Sequence, residues 1–367
     1  MKVIVVLFMM FCSASMFAQT YTNKEVKLDQ AFVDSISKIE YPYLLPIWGK
    51  KVAEKGFKLP LSAGIGVNYY WQESKVVINE LYVGFNNGQQ YFMDDIVRFN
   101  DAVASSNIVN VRPDFWILPF LNVYGIFAVS DTSTQIDLDI VVPTEDGYRN
   151  VLQIQTLQEF EGVSAGFGIT PTVGVGGGWF ALDMNFTWTD LDALDKPAFS
   201  FIFGPRMGKT FKFNKPDSNL AVWFGGFKVA INSDTNGNLG VSDIFNFDGI
   251  NEKLDNAEVA LADTRVNLDT WFNNLSPIEQ IQNQIKYSTA TAALNKADQF
   301  VDNFSDAVDS AENSTVQYSL EKRQKEAWNF LLGTQYQLNQ EWMIRGEFGF
   351  LGSRKQILVG LNYRFGL

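Results

Sequence analysis

Eight charged side chains sit at alternate positions within stretches of otherwise small residues: Arg112, Asp114, Asp183, Arg206, Lys228, Arg345, Glu347 and Arg364. In an extended chain, residues two apart share a face. The companions of these charges on that face are mostly glycine, serine, threonine and asparagine, so all eight are expected on one narrow polar surface. Five bases and three acids gathered in a confined space are costly unless paired. Two outcomes follow: a salt-bridged plug that stiffens and closes the space, or a weakly anion-selective passage. Hydrolytic chemistry is not expected. The chain has no histidine, the side chain whose ordinary pKa suits a neutral general base, and without such a base a serine is not readily activated. The sole cysteine is Cys12. Gly204–Thr210 falls one residue short of a phosphate-binding loop and lies within an alternating segment with no helix after it. Asp234–Asn238 hints at a calcium loop, but its glycine comes two residues early and Phe245 occupies the twelfth position. No catalytic residue, cofactor or metal site is expected.

The elements that must position these charges are read from the alternation itself. In the last segment, Ile357, Val359, Leu361, Tyr363, Phe365 and Leu367 oppose Gln356, Leu358, Gly360, Asn362, Arg364 and Gly366. Phe180, Leu182, Met184, Phe186 and Trp188 oppose Ala181, Asp183, Asn185 and Thr187, and the segment from Leu61 to Gln72 repeats the pattern. A half-buried soluble strand also alternates. Size discriminates: the apolar face is bulky and aromatic, and its opposite is small and polar, which suits lipid outside and a narrow lumen inside. Trp and Tyr cluster near segment ends, as interfacial girdles require. Apolar residues make up 46% of the chain and aromatics 14%, yet mean hydropathy is near zero, because alternation hides the hydrophobicity from the average. The net charge of -12 argues against nucleic-acid binding.

Ten strands are predicted, at about 61–73, 108–118, 122–142, 160–175, 178–190, 197–212, 219–231, 326–338, 341–351 and 355–366. The fold class is an all-β transmembrane antiparallel barrel with an inserted α-helical hairpin. Alternate connections are short, and bacterial outer-membrane barrels keep their short turns and both termini in the periplasm. The longer links at about 84–107, 143–159 and 232–325 therefore face outward. On these segments the chain resembles the small outer-membrane β-barrel proteins of Gram-negative bacteria. Gly360, Tyr363 and Phe365 are similar to the C-terminal glycine-aromatic-aromatic signal of that class, with Gly366 and Leu367 as two extra residues and Leu358 where a polar residue is usual. The resemblance implies outer-membrane lipid around the barrel and the barrel assembly machinery as a partner during biogenesis. Outer-membrane hydrolases of similar architecture rely on a histidine, which reinforces a non-enzymatic reading. The Phe17-Ala18-Gln19 junction resembles those of the Bacteroidota.

Outside the barrel, Met1–Ala18 reads as a signal peptide with cleavage after Ala18, and 19–60 as a periplasmic, partly helical lead-in with Leu28, Phe32, Ile36 and Ile39 at helical spacing. Within the long insertion, at about 246–318, Leu254, Leu261, Leu268 and Leu275 recur every seven residues, with Ala257 and Trp271 completing the stripe. Ser276-Pro277-Ile278-Glu279 is a capping box that starts a second helix. From 251 to 312 there are eleven acidic and four basic residues. The stripe needs burial, by the second helix, by the barrel's own rim, or by another envelope protein. The functional expectation is a barrel that anchors this acidic helical element for binding or envelope-complex assembly. The alternative is a narrow, weakly anion-preferring channel or transporter for small solutes.

Overall fold

The computed structural model describes residues 41–55, 57, 59–191, 196–215, 217–232, 234–244, 249–310 and 313–367. The signal peptide and the Leu28–Ile39 helix expected above lie outside these residues. Ten antiparallel strands close a barrel: β1 (Ala63–Phe85), β3 (Val97–Leu118), β4 (Leu121–Pro143), β5 (Tyr148–Val175), β6 (Gly178–Leu191), β7 (Ala198–Lys212), β8 (Asn219–Asn232), β11 (Trp328–Gln337), β12 (Trp342–Phe350) and β13 (Arg354–Phe365). β13 pairs back on β1 from Ala63↔Phe365 to Ser74↔Arg354, so no edge is left at the seam. Three shorter strands, β2 (Tyr91–Phe92), β9 (Asp234–Gly240) and β10 (Thr315–Gln324), extend the sheet beyond the barrel.

The ten expected strands are present, but three of them extend at the helix end beyond what the alternation indicates: β1 runs to Phe85 rather than to about 73. β3 begins at Val97 rather than near 108, and β5 at Tyr148 rather than near 160. The bulky-out pattern stops where a strand leaves the membrane, while backbone pairing continues. β12 has 9 residues and β5 has 28. About 9–11 residues suffice to span a bilayer, so β12 ends at the membrane surface and β5 rises well beyond it. Above the short β12–β13 hairpin, β10 takes over from β13 as the neighbour of β1, pairing from Val76↔Gln324 to Phe85↔Val316. β5 is paired with β6 only from Gly162 to Val175, so the raised wall is low on the side of β6 and β7.

Between β9 and β10 the chain forms α2 (Val241–Ile244), α3 (Ile250–Asn274) and α4 (Pro277–Asp309); α1 (Gly49–Ala53) lies at the other end of the barrel. The capping box forms as expected from its residues: the Ser276 amide donates to Glu279 Oε2 at 2.9 Å. α3 and α4 are joined by the Arg265–Asp298 ion pair, by a hydrogen bond of 2.7 Å from the Tyr287 hydroxyl to Asp269, and by Phe272 stacked on Tyr287. Their apolar faces meet the inner side of the raised wall. Leu254, Leu261, Leu294, Val301 and Phe304 form one continuous core with Leu81, Met93, Ile96, Ile140, Val142, Leu152 and Ile154. Around the edges of this contact, Arg149 donates to Thr264 at 3.1 Å and Lys296 pairs with Asp95 at 2.6 Å.

Candidate functional site

The lumen is not filled. On the side of the short turns lies a cavity of about 680 Å³, and on the side of the helices one of about 610 Å³. Arg112, Asp183, Arg206 and Arg345 line both, so a single layer of charged side chains separates them.

This partition is built by inward positions on β3, β6, β7 and β12. Arg206 Nη1 meets Glu347 Oε1 at 2.9 Å, and the same guanidinium pairs with Asp183. Arg345 also pairs with Glu347. Glu347 further accepts the indole N–H of Trp223 at 3.2 Å, and Asp183 accepts the Thr170 hydroxyl at 2.6 Å. Both carboxylates are almost wholly buried, Glu347 at 7% and Asp183 at 5% exposure. Each is therefore held by paired cations and hydrogen bonds in place of the water it has lost. Arg112 lies over the Tyr124 ring at 3.8 Å; among the described residues it is in ion-pair contact with no carboxylate.

A second, separate pair closes the strand seam below the partition. Arg364 meets Asp114 at 3.0 Å and donates twice to the Leu61 carbonyl. Asp114 also accepts Asn122 at 2.9 Å. The lead-in lies across this mouth: the Leu44 amide donates to the Leu367 carbonyl at 2.7 Å and the Ile47 amide to the Ile117 carbonyl at 2.9 Å. Tyr41, Tyr43 and Phe57 help to line the lower cavity. Burial, and then the adjacent Tyr43, push the Tyr41 phenol up to about 12. It stays protonated and donates to the Leu45 carbonyl at 2.6 Å.

Seven of the eight charges expected in the lumen point into it, in two groups rather than one. Arg112, Asp183, Arg206, Arg345 and Glu347 make the partition, and Asp114 and Arg364 make the seam pair. Lys228 is the correction. It is exposed on the outer face opposite Trp328, while its neighbour Phe227 is buried inside. The inner face of β8 carries Ala221, Trp223 and Phe227, so the large residues there point inward and Gly225-Gly226 offers no side chain to mark the reversal. Arg354 was not anticipated as an inward residue. It is 3% exposed, with its guanidinium 5.4 Å from the Phe227 ring centre. Tyr124, Trp179 and Trp223 are likewise large residues on the face expected to be small, and each is buried.

Gly360, Tyr363 and Phe365 lie on the closing strand β13. Tyr363 points outward and stacks loosely with Phe365, ring centres 6.3 Å apart. The leucine stripe is internal: Leu254, Leu261 and Leu268 are buried, Trp271 packs against the same core, and Leu275 is half-buried. It meets α4 and the raised wall of the barrel itself, so none of its three fully buried leucines is presented to a partner.

The outer surface around this lumen is a belt of exposed apolar side chains on every side, among them Ile65 and Val67 on β1, Val129 on β4, Phe224 on β8, Phe348 on β12 and Val359 on β13. Water would not stabilise such a surface, and a hydrocarbon layer does. The protein is an outer-membrane β-barrel. Its short-turn end holds Leu367, and the helix pair stands at the opposite end.

No protein-family model matches the chain, and no curated protein matches it. Solved structures of bacterial outer-membrane barrels superpose distantly. The β-domain of the Bordetella autotransporter BrkA shares 6% identity, with 83% of this chain and 100% of that one covered, at a TM-score of 0.31. The translocator domain of autotransporter NalP from Neisseria meningitidis shares 7%, with coverage of 92% and 93%, at 0.33. An outer membrane channel from Pseudomonas putida F1 shares 9%, with coverage of 83% and 96%, at 0.27. Likeness at this level says nothing about what the lumen handles.

Proposed function

We propose that the barrel passes small solutes across the outer membrane through a narrow, gated lumen with a weak preference for anions, without catalysing a reaction. The observation that supports this reading is the pair of cavities, about 680 and 610 Å³, divided by one layer of ion-paired side chains. A plug built only for stability would be expected to fill the bore, as side chains do in narrow barrels. Here three arginines face two carboxylates across the partition, which leaves a positive excess at the constriction. Rearranging these few pairs joins the cavities, whereas opening the wall would cost many backbone hydrogen bonds. During biogenesis, Gly360, Tyr363 and Phe365 on β13 present the signal that the barrel assembly machinery reads.

Planar-bilayer recording tests the reading. Small, discrete conductance steps with a modest anion preference are expected, larger after the Glu347→Gln substitution loosens the partition. Silence from the intact protein and from a variant lacking the helix pair would overturn it.

A second reading, an anchor for a surface-binding element, rests on a different feature of the helices. Ile278, Ile281 and Ile285 lie on one face of α4 and are 69%, 79% and 81% exposed. Cross-linking from Ile281→Cys in native membranes is expected to yield a discrete adduct with another envelope protein if that face binds one. A variant that stays monomeric would count against this role.

A further inference from the structure

The two cavities differ in chemistry. The lower one is bordered by the lead-in and by polar side chains such as Asn68, Asn122 and Gln335. The upper one has an apolar wall. Ile108, Ile126, Ile202, Phe227, Leu331 and Leu358 all face it, and Phe300 of α4 reaches it from the outer end. Inward positions of a water-filled barrel are ordinarily polar, and apolar inward positions ordinarily mark a packed core. This cavity is neither. The hydroxyls on its wall hydrogen-bond largely to one another: Thr132 to Ser106 at 3.1 Å, Ser164 with Thr189 at 2.8 Å, and Thr187 with Ser200. Their polar capacity is thereby turned along the wall instead of toward the cavity. A space of several hundred Å³ with apolar walls and a few convergent polar groups is the form of a small-molecule site.

Its floor is the partition, and there the charges do not balance. Arg206 and Arg345 share Glu347 and Asp183. Arg112 sits beside them with the Tyr124 ring as its contact. Asp114, two residues away on the same strand, is already committed to Arg364 at 3.0 Å and Asn122 at 2.9 Å. An apolar chamber above a guanidinium with no ion-pair contact among the described residues suits a ligand with an apolar body and an anionic end.

We infer that the outer cavity binds a single-chain amphiphile with an anionic head, its chain against Ile126, Ile202 and Leu358 and its head at Arg112. This deepens the transport reading by naming a solute class, and it rests on the same lumen. Binding, however, is measured without a gradient. A barrel that binds the amphiphile and never conducts would defeat transport alone, and one that conducts without binding it would defeat this inference alone.

The test is isothermal titration of the full-length protein in lipid nanodiscs, with empty nanodiscs as the blank, using octanoate, 1-octanol and acetate. Octanoate is expected to bind about tenfold more tightly than 1-octanol, a difference of about 1.4 kcal/mol, and acetate not measurably. Arg112→Gln should bring octanoate to the level of octanol while leaving octanol unchanged. Ala128→Trp, which places an indole in the cavity, should abolish both, with folding checked by heat-modifiable electrophoretic mobility; should it misfold, Leu358→Trp fills the same space from another strand. Equal binding of octanoate and octanol to the unsubstituted protein, no binding of either, or octanoate binding that survives the filled cavity would each overturn the proposal.

Discussion

Strand β4 follows opposite rules in its two halves. In the lower half Val123, Phe127 and Val129 point outward, with Phe127 and Val129 exposed, while Ser130 and Thr132 point inward. In the upper half Ile136, Leu138 and Ile140 point inward and Gln135, Asp137 and Asp139 outward. The backbone period is the same throughout; the solvent changes. Lipid surrounds the lower half, so bulk belongs outside and the lumen is polar. Water surrounds the upper half, so bulk belongs inside, where the faces of α3 and α4 cover it. The molecule joins a membrane barrel to a water-facing sheet-and-helix layer without interrupting a strand. The upper cavity lies where the two regimes meet, and so combines apolar walls with a charged floor.

The strongest test of this inversion acts on the upper core. Phe304 is wholly buried between α4 and the wall, stacked with Phe85. Phe304→Ala is expected to weaken helix docking by about 3–5 kcal/mol. Hydrogen exchange should show protection lost over 250–309 and retained in β6, β7, β12 and β13; loss throughout would mean that the two regions fold as one. Next in size is a matched pair of outward charges. Val359→Arg, in the lipid belt, should cost about 2–4 kcal/mol, whereas Gln153→Arg, outward on the raised part of β5, should stay within about 0.5 kcal/mol. Urea titration into liposomes compares them, and equal costs would break the distinction between the faces.

The partition gives a third. Arg206→Ala leaves Glu347 with Arg345 and takes from Asp183 its paired guanidinium; two arginines then face two carboxylates, so the constriction should lose its anion preference. Reversal potentials in a salt gradient read that loss directly. The smallest effect concerns the start of α4. Hydrogen bonds from the Ser276 side chain and backbone hold the Glu279 carboxyl below its ordinary value of 4.5. A depressed folded value means the stabilisation is present above the unfolded value and fades as pH falls through the folded one. Fraying confined to the first turn of α4 on acidification, seen by backbone NMR and absent in Glu279→Gln, is the expected result.

Half of the site was readable from period-2 spacing. Arg206, Asp183 and Glu347 stand amid small residues, and a face so marked can only be a lumen when its opposite is aromatic. The reading slipped at Lys228 because Trp223 and Phe224 are both large and two glycines follow, so size could not tell the faces of β8 apart. Arg354 lies one residue before the expected strand at 355–366, in step with the inward Gln356 and Leu358, and its neighbour Phe227 is on a strand remote in sequence. The upper end of β3 is hidden for a related reason: beyond the membrane a strand need only pair, and Asp101 to Ser106 carries no bulky face to reveal it.

The sequence by itself determined the compartment and the ten-strand closure, and it marked most of the charges that face the lumen, because a lipid bilayer imposes a local rule that each residue obeys or breaks alone. Tertiary structure alone decided which charges pair, that Arg112 meets no carboxylate among the described residues, and that the leucine stripe is internal. Those outcomes depend on distances between strands and helices far apart in the chain. The cavity above the partition belongs to the same class. It is the space left between a wall and a helix pair, and no run of residues encodes a space.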